Sequence, residues 1–546
     1  MNATVETITK LLLPTMLYHP VEVEAIHKKI MGAKAAEILK ILETYSRMLE
    51  EAKPLDEVPY HGRNAFTLVG QRFARLVTGN VAKATPDLKL KRVAAPSVLK
   101  RLYMAIPENE TGMQGMTLQM LAVQSEPEDL ETLVELLEHH PPKKVEGLLV
   151  GLSPLFHLLN WSVDAVFPAI FRAIEHQHLA AGIIDLSNFV TTKRKLKKHP
   201  GYSRRKELIE LLGAIVRRLE QFEENPRTFG EEVIVIQETL RESIALAVAL
   251  CYCAGLLGDE SAIGKLNQAS ELRHRHLQAE AFGALARLGA DHGRKELVAL
   301  AREPAARLRV IEYAKELGLD DMIAPKYLTD EAKAEAKIAL WLSEPANYTA
   351  PPTKLELIDH RELYWPGFKD VQDIYLFRYH YDLGPMQICN IAISGPLTYA
   401  FQADLADLPI EDIYAAFAGW SFEHPDIREF DVKDLPPMYD TVLKPLQQQL
   451  KDAGHTKIKK LQLGIFFREP ILIAETHRGK LRGIAVVSRE EVLWFPTGSR
   501  MRPLTAKEAY CIFKGRIVLK SFNEALGNTW RHSEEFPEPV EEEDSE

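Results

Sequence analysis

The run DIYLFRYHYD alternates aromatic and polar residues. As a strand it places Tyr375, Phe377, Tyr379 and Tyr381 on one face and Leu376, Arg378, His380 and Asp382 on the other. A face ending in arginine, histidine and aspartate holds the parts of a general acid, a general base and an anion clamp. Comparable groups stand at Glu423, His424 and Asp426 in SFEHPDI, and at Arg500 and Arg502 in GSRMRP. His380, Asp382, His424 and Arg502 are therefore the candidate catalytic residues. Their spacing names no mechanism, and charged strand faces and loops are common, so the chain reads more readily as a non-enzyme.

Metal and phosphate chemistry find less to work with. The chain has 18 histidines, but its close pairs are His139-His140, His176 with His178, and His274 with His276. Residues two apart on a helix point to different sides, whereas chelation from one face needs steps of three or four. Cys251 and Cys253 share that spacing and sit in the apolar run ALAVALCYCAGLL, where cysteine behaves as a small buried hydrophobe. GDESAIGKL, from Gly258 to Leu266, has two glycines and a lysine but one residue too many between the glycines and Leu266 where a phosphate loop needs a hydroxyl. It reads as a turn between helices. No metal and no cofactor is implied.

Positive charge concentrates in TTKRKLKKHPGYSRRK, which packs eight Lys and Arg residues into the stretch from Thr191 to Lys206. Lys193, Arg194, Lys195, Lys197, Lys198, Arg204 and Arg205 are candidate binding residues for a polyanion, because clustered charge raises the local anion concentration. An acidic protein is at least as good a partner as nucleic acid, since Tyr202 is the one aromatic interleaved with the charge. Arg294 and Lys295, in ALARLGADHGRKELVAL, are further candidates. That stretch is explained by folding alone, with Gly289 ending one helix, Asp291 starting the next and Leu297, Val298 and Leu300 continuing its buried side.

The elements that must hold these residues fall into two kinds. A chain of 546 residues exceeds what one core usually serves, and 46% hydrophobic with 26% charged residues is ordinary for a globular protein. The formal net charge is −10, and eight acidic residues lie between Glu534 and Glu546, so the body is close to neutral. Four scattered cysteines and an N-terminus without a secretory pattern point to a reducing, cytoplasmic setting. The longest uncharged stretches, Gly147 to Val163 and Ser243 to Gly258, fall short of the roughly 18 to 20 residues of a membrane span.

From residue 1 to about 345 the pattern is helical. HPVEVEAIHKKIMGAKAAEILKILETYSRMLEEAKP carries an apolar stripe through Ile26, Ile30, Ile38, Leu42, Tyr45 and Leu49 up to Pro54. EPEDLETLVELLEHHPPKKVEGLLVGLSPLFHLL reads as helix, turn, helix about Pro141 and Pro142. Leu257-Gly258, Leu288-Gly289 and Leu317-Gly318 then recur at 31 and 29 residues, each after an alanine-rich run and each with an Asp within three residues. Glycine can take the left-handed conformation that ends a helix, and the Asp can cap the next one.

With LRHRHLQAEAFGALARLG and ARLRVIEYAKELG, this periodic region resembles HEAT repeats, stacked helical hairpins known as scaffolds and binding surfaces. The resemblance is strongest over about residues 240–325 and implies an α-helical solenoid. Near residue 343 the composition changes. SEPANYTAPPTKLELIDHRELYWPGFKD reads as a linker, and beyond it come β-branched and aromatic runs, a hairpin at His477 to Lys480, and helices near Pro409 to Gly419 and Pro437 to Ala453.

The expected architecture is multidomain: a helical region at 1–115, HEAT-like repeats at 116–345, a linker at 346–368, an α+β domain with antiparallel sheet at 369–530, and an acidic tail at 531–546. The expected function is a protein-interaction scaffold with a protein partner, possibly an acidic one, and no membrane. A ligand or enzyme site in the α+β domain and nucleic-acid binding through 193–206 are the alternatives.

Overall fold

The computed structural model describes residues 6, 8, 20–51, 58, 60–79, 91–158, 160–344, 347, 350–383, 386–401, 403, 405–422, 428–430, 437–467, 469–497 and 503–523. His424, Arg500, Arg502 and the acidic tail lie outside them. The chain divides into two compact units, 1–300 with 312–320, and 301–311 with 321–546.

The first unit is helical. Its helices are α1 (Pro20–Gly32), α2 (Ala35–Glu51), α3 (Tyr60–Thr78), α4 (Pro96–Ala105), α5 (Thr111–Gln124), α6 (Pro127–His139), α7 (Val145–His157), α8 (Gln177–Lys193), α9 (Arg205–Glu224), α10 (Val233–Leu257), α11 (Ile263–Glu271), α12 (Arg275–Arg287) and α13 (Asp291–Ala299), followed by α14 (Pro304–Leu317), whose last residues belong here. The apolar stripe from Ile26 to Leu49 is two helices rather than one, because the chain leaves helical geometry between Gly32 and Ala35.

Many helices pack on the one two places along. One row runs α1, α3, α5, α7, α8, α10, α12, and a second joins α2 to α4, α4 to α6, and α9 to α11. Small residues set the close crossings: a Cβ added to Gly115 would lie 2.7 Å from the Gly147 carbonyl, and one on Gly151 2.7 Å from the Leu118 Cβ. Gly258, Gly289 and Gly318 all have left-handed φ, +68°, +85° and +66°, which only glycine adopts without strain.

The acidic residues that follow the first two of these glycines behave differently. Asp259 caps by accepting from Ser261 N–H at 3.0 Å, whereas Ala290 is the cap of α13 and Asp291 sits in its first turn. There the carboxylate acts through the helix dipole instead of a cap bond. α10 is long and apolar enough to cross a membrane; Ser243 to Leu257 supply its buried face, while Val233, Ile234 and Val235 are exposed. The helix extends past the uncharged stretch because Glu238, Arg241 and Glu242 fall within it.

The second unit repeats one order of elements. First come α15 (Asp330–Ser343), strands β1 (Lys354–Tyr364), β2 (Val371–Leu383), β3 (Met386–Ser394) and β4 (Thr398–Ala400), and α16 (Ile410–Ser421). After the short strand β5 (Arg428–Phe430), the order returns as α17 (Asp440–Asp452), β6 (His455–Phe466), β7 (Glu469–Arg478), β8 (Leu481–Val487), β9 (Val492–Pro496) and α18 (Ala506–Asn523). Each set of strands is an antiparallel meander, β1-β2-β3-β4 and β5-β6-β7-β8-β9. The region is thus α+β with two antiparallel sheets where one was expected.

The layers follow from where the apolar side chains go. Ile374, Leu376, Ile391 and Ile393 of one sheet and Ile471, Ile473, Ile484 and Val486 of the other share a core with Ile413 and Phe417 of α16 and Ile512 and Phe513 of α18. The aromatic face of β2, Tyr375 to Tyr381, is covered by Ala334, Ile338 and Leu342 of α15. Leu461, Leu463, Leu472 and Ala485 are covered by Leu443, Leu446 and Leu450 of α17. Both sheets are therefore buried on both faces, which explains strands with apolar or aromatic residues on each side. The segment expected as a linker contains β1. Its charged run Asp359-His360-Arg361-Glu362 hides the strand pattern because β1 is an edge strand whose middle is half-exposed.

Candidate functional site

A groove of about 980 Å³ opens in the second unit between β1, the N-terminal half of α16 and the C-terminal half of α18. Its apolar lining comes from Leu363, Pro409, Tyr414, Ala415 and Leu519. Its polar rim is made of interlocked ion pairs. Arg516 grips Asp412 through two parallel bonds of 2.6 and 2.7 Å, and Arg361 reaches Asp359 at 2.8 Å and Glu411 at 3.2 Å while its guanidinium lies 5.0 Å from the Tyr414 ring centre. His360 meets Asp373 at 2.9 Å and stacks on Tyr375 at 4.3 Å.

Each of these side chains is placed by its element. Glu411 and Asp412 occupy the first turn of α16, where the helix dipole favours negative charge. The Glu411 carboxyl is held below its ordinary range by a bond from its own backbone N–H and by Arg361. Burial, reinforced by the neighbouring Asp359 carboxylate, pushes the Tyr414 hydroxyl well above the usual phenol range. Tyr414 thus stays protonated and Glu411 charged. Arg361 and Arg516 are matched by carboxylates and much of the lining is apolar, an arrangement suited to holding a ligand.

The expected catalytic face fares differently. His380 lies on β2, away from the groove, and its Nε2 is 3.3 Å from Glu356 on β1; Asp382 is exposed at the end of the same strand. Glu356 is kept below the usual carboxylate range first by Lys354 and then by His380. The pairing joins neighbouring strands and brings no further acid or base to the histidine. Sequence reasoning missed the groove because its residues come from segments around 360, 411 and 519, none carrying a motif.

In the first unit the basic segment follows α8. Its three arginines are engaged by the fold: Arg194 donates to the Trp161 carbonyl at 2.7 Å and stacks over its ring, Arg204 donates to the Phe171 carbonyl at 2.7 Å, and Arg205 pairs with Asp259 at 3.1 Å. Lys193, Lys195, Lys197 and Lys198 are exposed, with Lys198 over the Tyr202 ring at 4.0 Å. Arg294 and Lys295 are also exposed, as expected.

The centre of the segment is a histidine that no motif or spacing singles out. Nδ1 of His199 accepts from Gly201 N–H at 3.0 Å, so the proton sits on Nε2, which faces Asn188 Oδ1 at 3.1 Å, Ser187 Oγ at 3.2 Å and Cys253 Sγ at 3.8 Å. Asn188 in turn donates to the Ala249 carbonyl at 3.0 Å. Burial pushes His199 down to about 4 and the Cys253 thiol far up, so the cluster is neutral and acts as a polar bolt between the segment, α8 and α10. Among the described residues no three His, Cys, Asp or Glu converge to hold a metal ion.

No family model matches the chain. No curated protein matches it either. What the protein does has to be argued from these two surfaces and the packing that carries them.

Proposed function

We propose that the protein is an interaction scaffold or adaptor in which HEAT-like repeats of the first unit form a solenoid that docks a partner protein. The observation that carries this is a continuous row of packed helices from α1 through α3, α5, α7, α8 and α10 to α12, flanked by the shorter sets α2-α4-α6 and α9-α11. Repeats of this kind bury their cores against neighbours and leave long surfaces for binding. The left-handed glycines at the three recurring turns agree with it.

The partner surface includes Lys193, Lys195, Lys197 and Lys198, and the partner is acidic there. The arginines and His199 fix the segment's backbone, so its lysines are presented without an ordering cost. Protein is favoured over nucleic acid by a specific contact: the ring of Tyr202 is already covered by Lys198 and Arg205, leaving the segment no open stacking platform. The setting proposed is the cytoplasm.

Capture from native lysate after nuclease treatment tests the reading, with the wild-type chain beside K193E/K195E/K197E/K198E. A stoichiometric protein partner that is retained by wild type and lost by the variant supports it. Recovery that disappears with nuclease transfers the segment to nucleic-acid binding.

A further inference from the structure

Among the described residues, the two halves of the second unit differ at the outer edge of their first long strand. In the second half β5 lies antiparallel beside β6, pairing Arg428 with Leu463, Glu429 with Gln462 and Phe430 with Leu461. In the first half the equivalent strand, β1, is the edge of its sheet among the described residues, and the groove runs along it at His360, Arg361, Glu362 and Leu363.

The main-chain groups on that edge can be assigned. Asn523, the last residue of α18, accepts from Tyr364 N–H at 2.7 Å and donates to the Tyr364 carbonyl at 3.2 Å, as a neighbouring strand would. Tyr364 therefore points its backbone away from β2. Since outward and inward groups alternate along an antiparallel strand, Glu362 and His360 point the same way, while Leu363 and Arg361 bond to Gln372 and Ile374. The N–H and C=O of Glu362 and His360 thus face the groove with no neighbouring strand among the described residues.

We propose that this edge binds an extended segment of a partner protein, which adds antiparallel to β1 as β5 adds to β6. Strand addition draws its affinity from main-chain bonds and its selectivity from alternate side chains. Those on the helix side enter the groove over Pro409 and Leu519, so an apolar residue fits there. Lys520, in the last turn of α18, lines the same groove, is exposed, and has no carboxylate partner among the described residues. The Arg361 and Arg516 charges are already matched within the rim, and His360 is bonded to Asp373. A segment with an apolar residue and an Asp or Glu two positions away therefore complements the groove in both shape and charge. This site stands independently of the helical docking surface.

The test is selection of a displayed random ten-residue peptide library on the full-length chain, followed by affinity measurements with the enriched peptides. Enriched peptides are expected to alternate, with an apolar and an acidic residue two apart. Glu362→Pro removes one outward N–H and spares the bonds to β2, since proline is tolerated on the outer side of an edge strand. It should weaken binding at least tenfold. Lys520→Glu, a surface change that leaves the backbone alone, should weaken the acidic peptides by a similar factor; methylating alternate peptide nitrogens should abolish binding.

Failure to enrich any peptide overturns the proposal, as does binding that survives both Glu362→Pro and Lys520→Glu. Enrichment only on a chain ended at Asn523 would mean that the chain's own later residues take the edge, and a dimer lost with Glu362→Pro would give it to a second copy. Either result also overturns it.

Discussion

Two buried ionisable side chains answer acid in opposite directions. His199 has its folded value near 4, below the ordinary 6.5, so it is neutral in the fold; its contribution is complete above pH 6.5 and is lost as pH falls toward 4. Asp129 is raised by burial to about 6 in spite of Arg92 at 3.3 Å, so the fold prefers it protonated, and its contribution grows as pH falls from 6 toward 3.8. Each shift corresponds to about 3 kcal/mol over its range. In urea unfolding, the advantage of wild type over His199→Gln should shrink by about that much between pH 7 and 4. The advantage over Asp129→Asn should move the other way.

Arg307 shows the same principle for a cation. Only 3% exposed, it donates to the carbonyls of Ala301 at 2.9 Å and Ala332 at 2.6 Å, and to Glu335 at 2.6 Å. Removing a buried charge leaves its partners unpaired, so Arg307→Leu should cost about 3 kcal/mol in chemical denaturation, and Arg307→Lys should recover little, because lysine lacks the planar fork that reaches four acceptors, the Arg302 carbonyl included.

At the scale of elements, the crossing of α16 and α18 is the tightest contact of the second unit. A Cβ on Gly515 would fall inside the Ala415 carbonyl, and one on Gly419 inside that of Cys511. Both clashes are with backbone, which cannot swing aside. Gly515→Ala should therefore destabilise by about 3 kcal/mol, at the upper end for overpacking, and lower the melting temperature of that unit. Gly264→Ala, where nothing lies within 4 Å, serves as the neutral control.

Much at this scale was legible in the sequence, and the remainder was hidden for stated reasons. The glycine turns, the hairpin at Gly479 and the change from helix to strand were readable because they rest on local backbone rules. The break at Gly32 was not, since the apolar stripe continues across it. β1 was concealed by the charges of an edge strand, and the doubling of the sheet by meanders whose strands look alike singly. The groove and the His199 bolt depend on residues brought together from afar, which no spacing records.

For the whole molecule, two units with separate cores predict two calorimetric transitions. Leu285→Ala, in the core of α9 to α12, should lower one by an amount matching about 3 kcal/mol and leave the other in place; Gly515→Ala should do the reverse. A single transition moved equally by both substitutions would contradict the division.

The open edge of β1 has a cost as well as a use. An unpaired strand rim is a template for indiscriminate stacking of one molecule on another, the first step toward insoluble deposits. β1 carries two safeguards: an irregular register between Leu357 and Asp359 that interrupts a long flat edge, and the run Asp359-His360-Arg361-Glu362, whose charges would have to be stripped of water in any crowded stack. A chain in which these residues were made threonine and valine should scatter more light at high protein concentration than the wild type. Its charged middle raises the cost of laying a second rim against it.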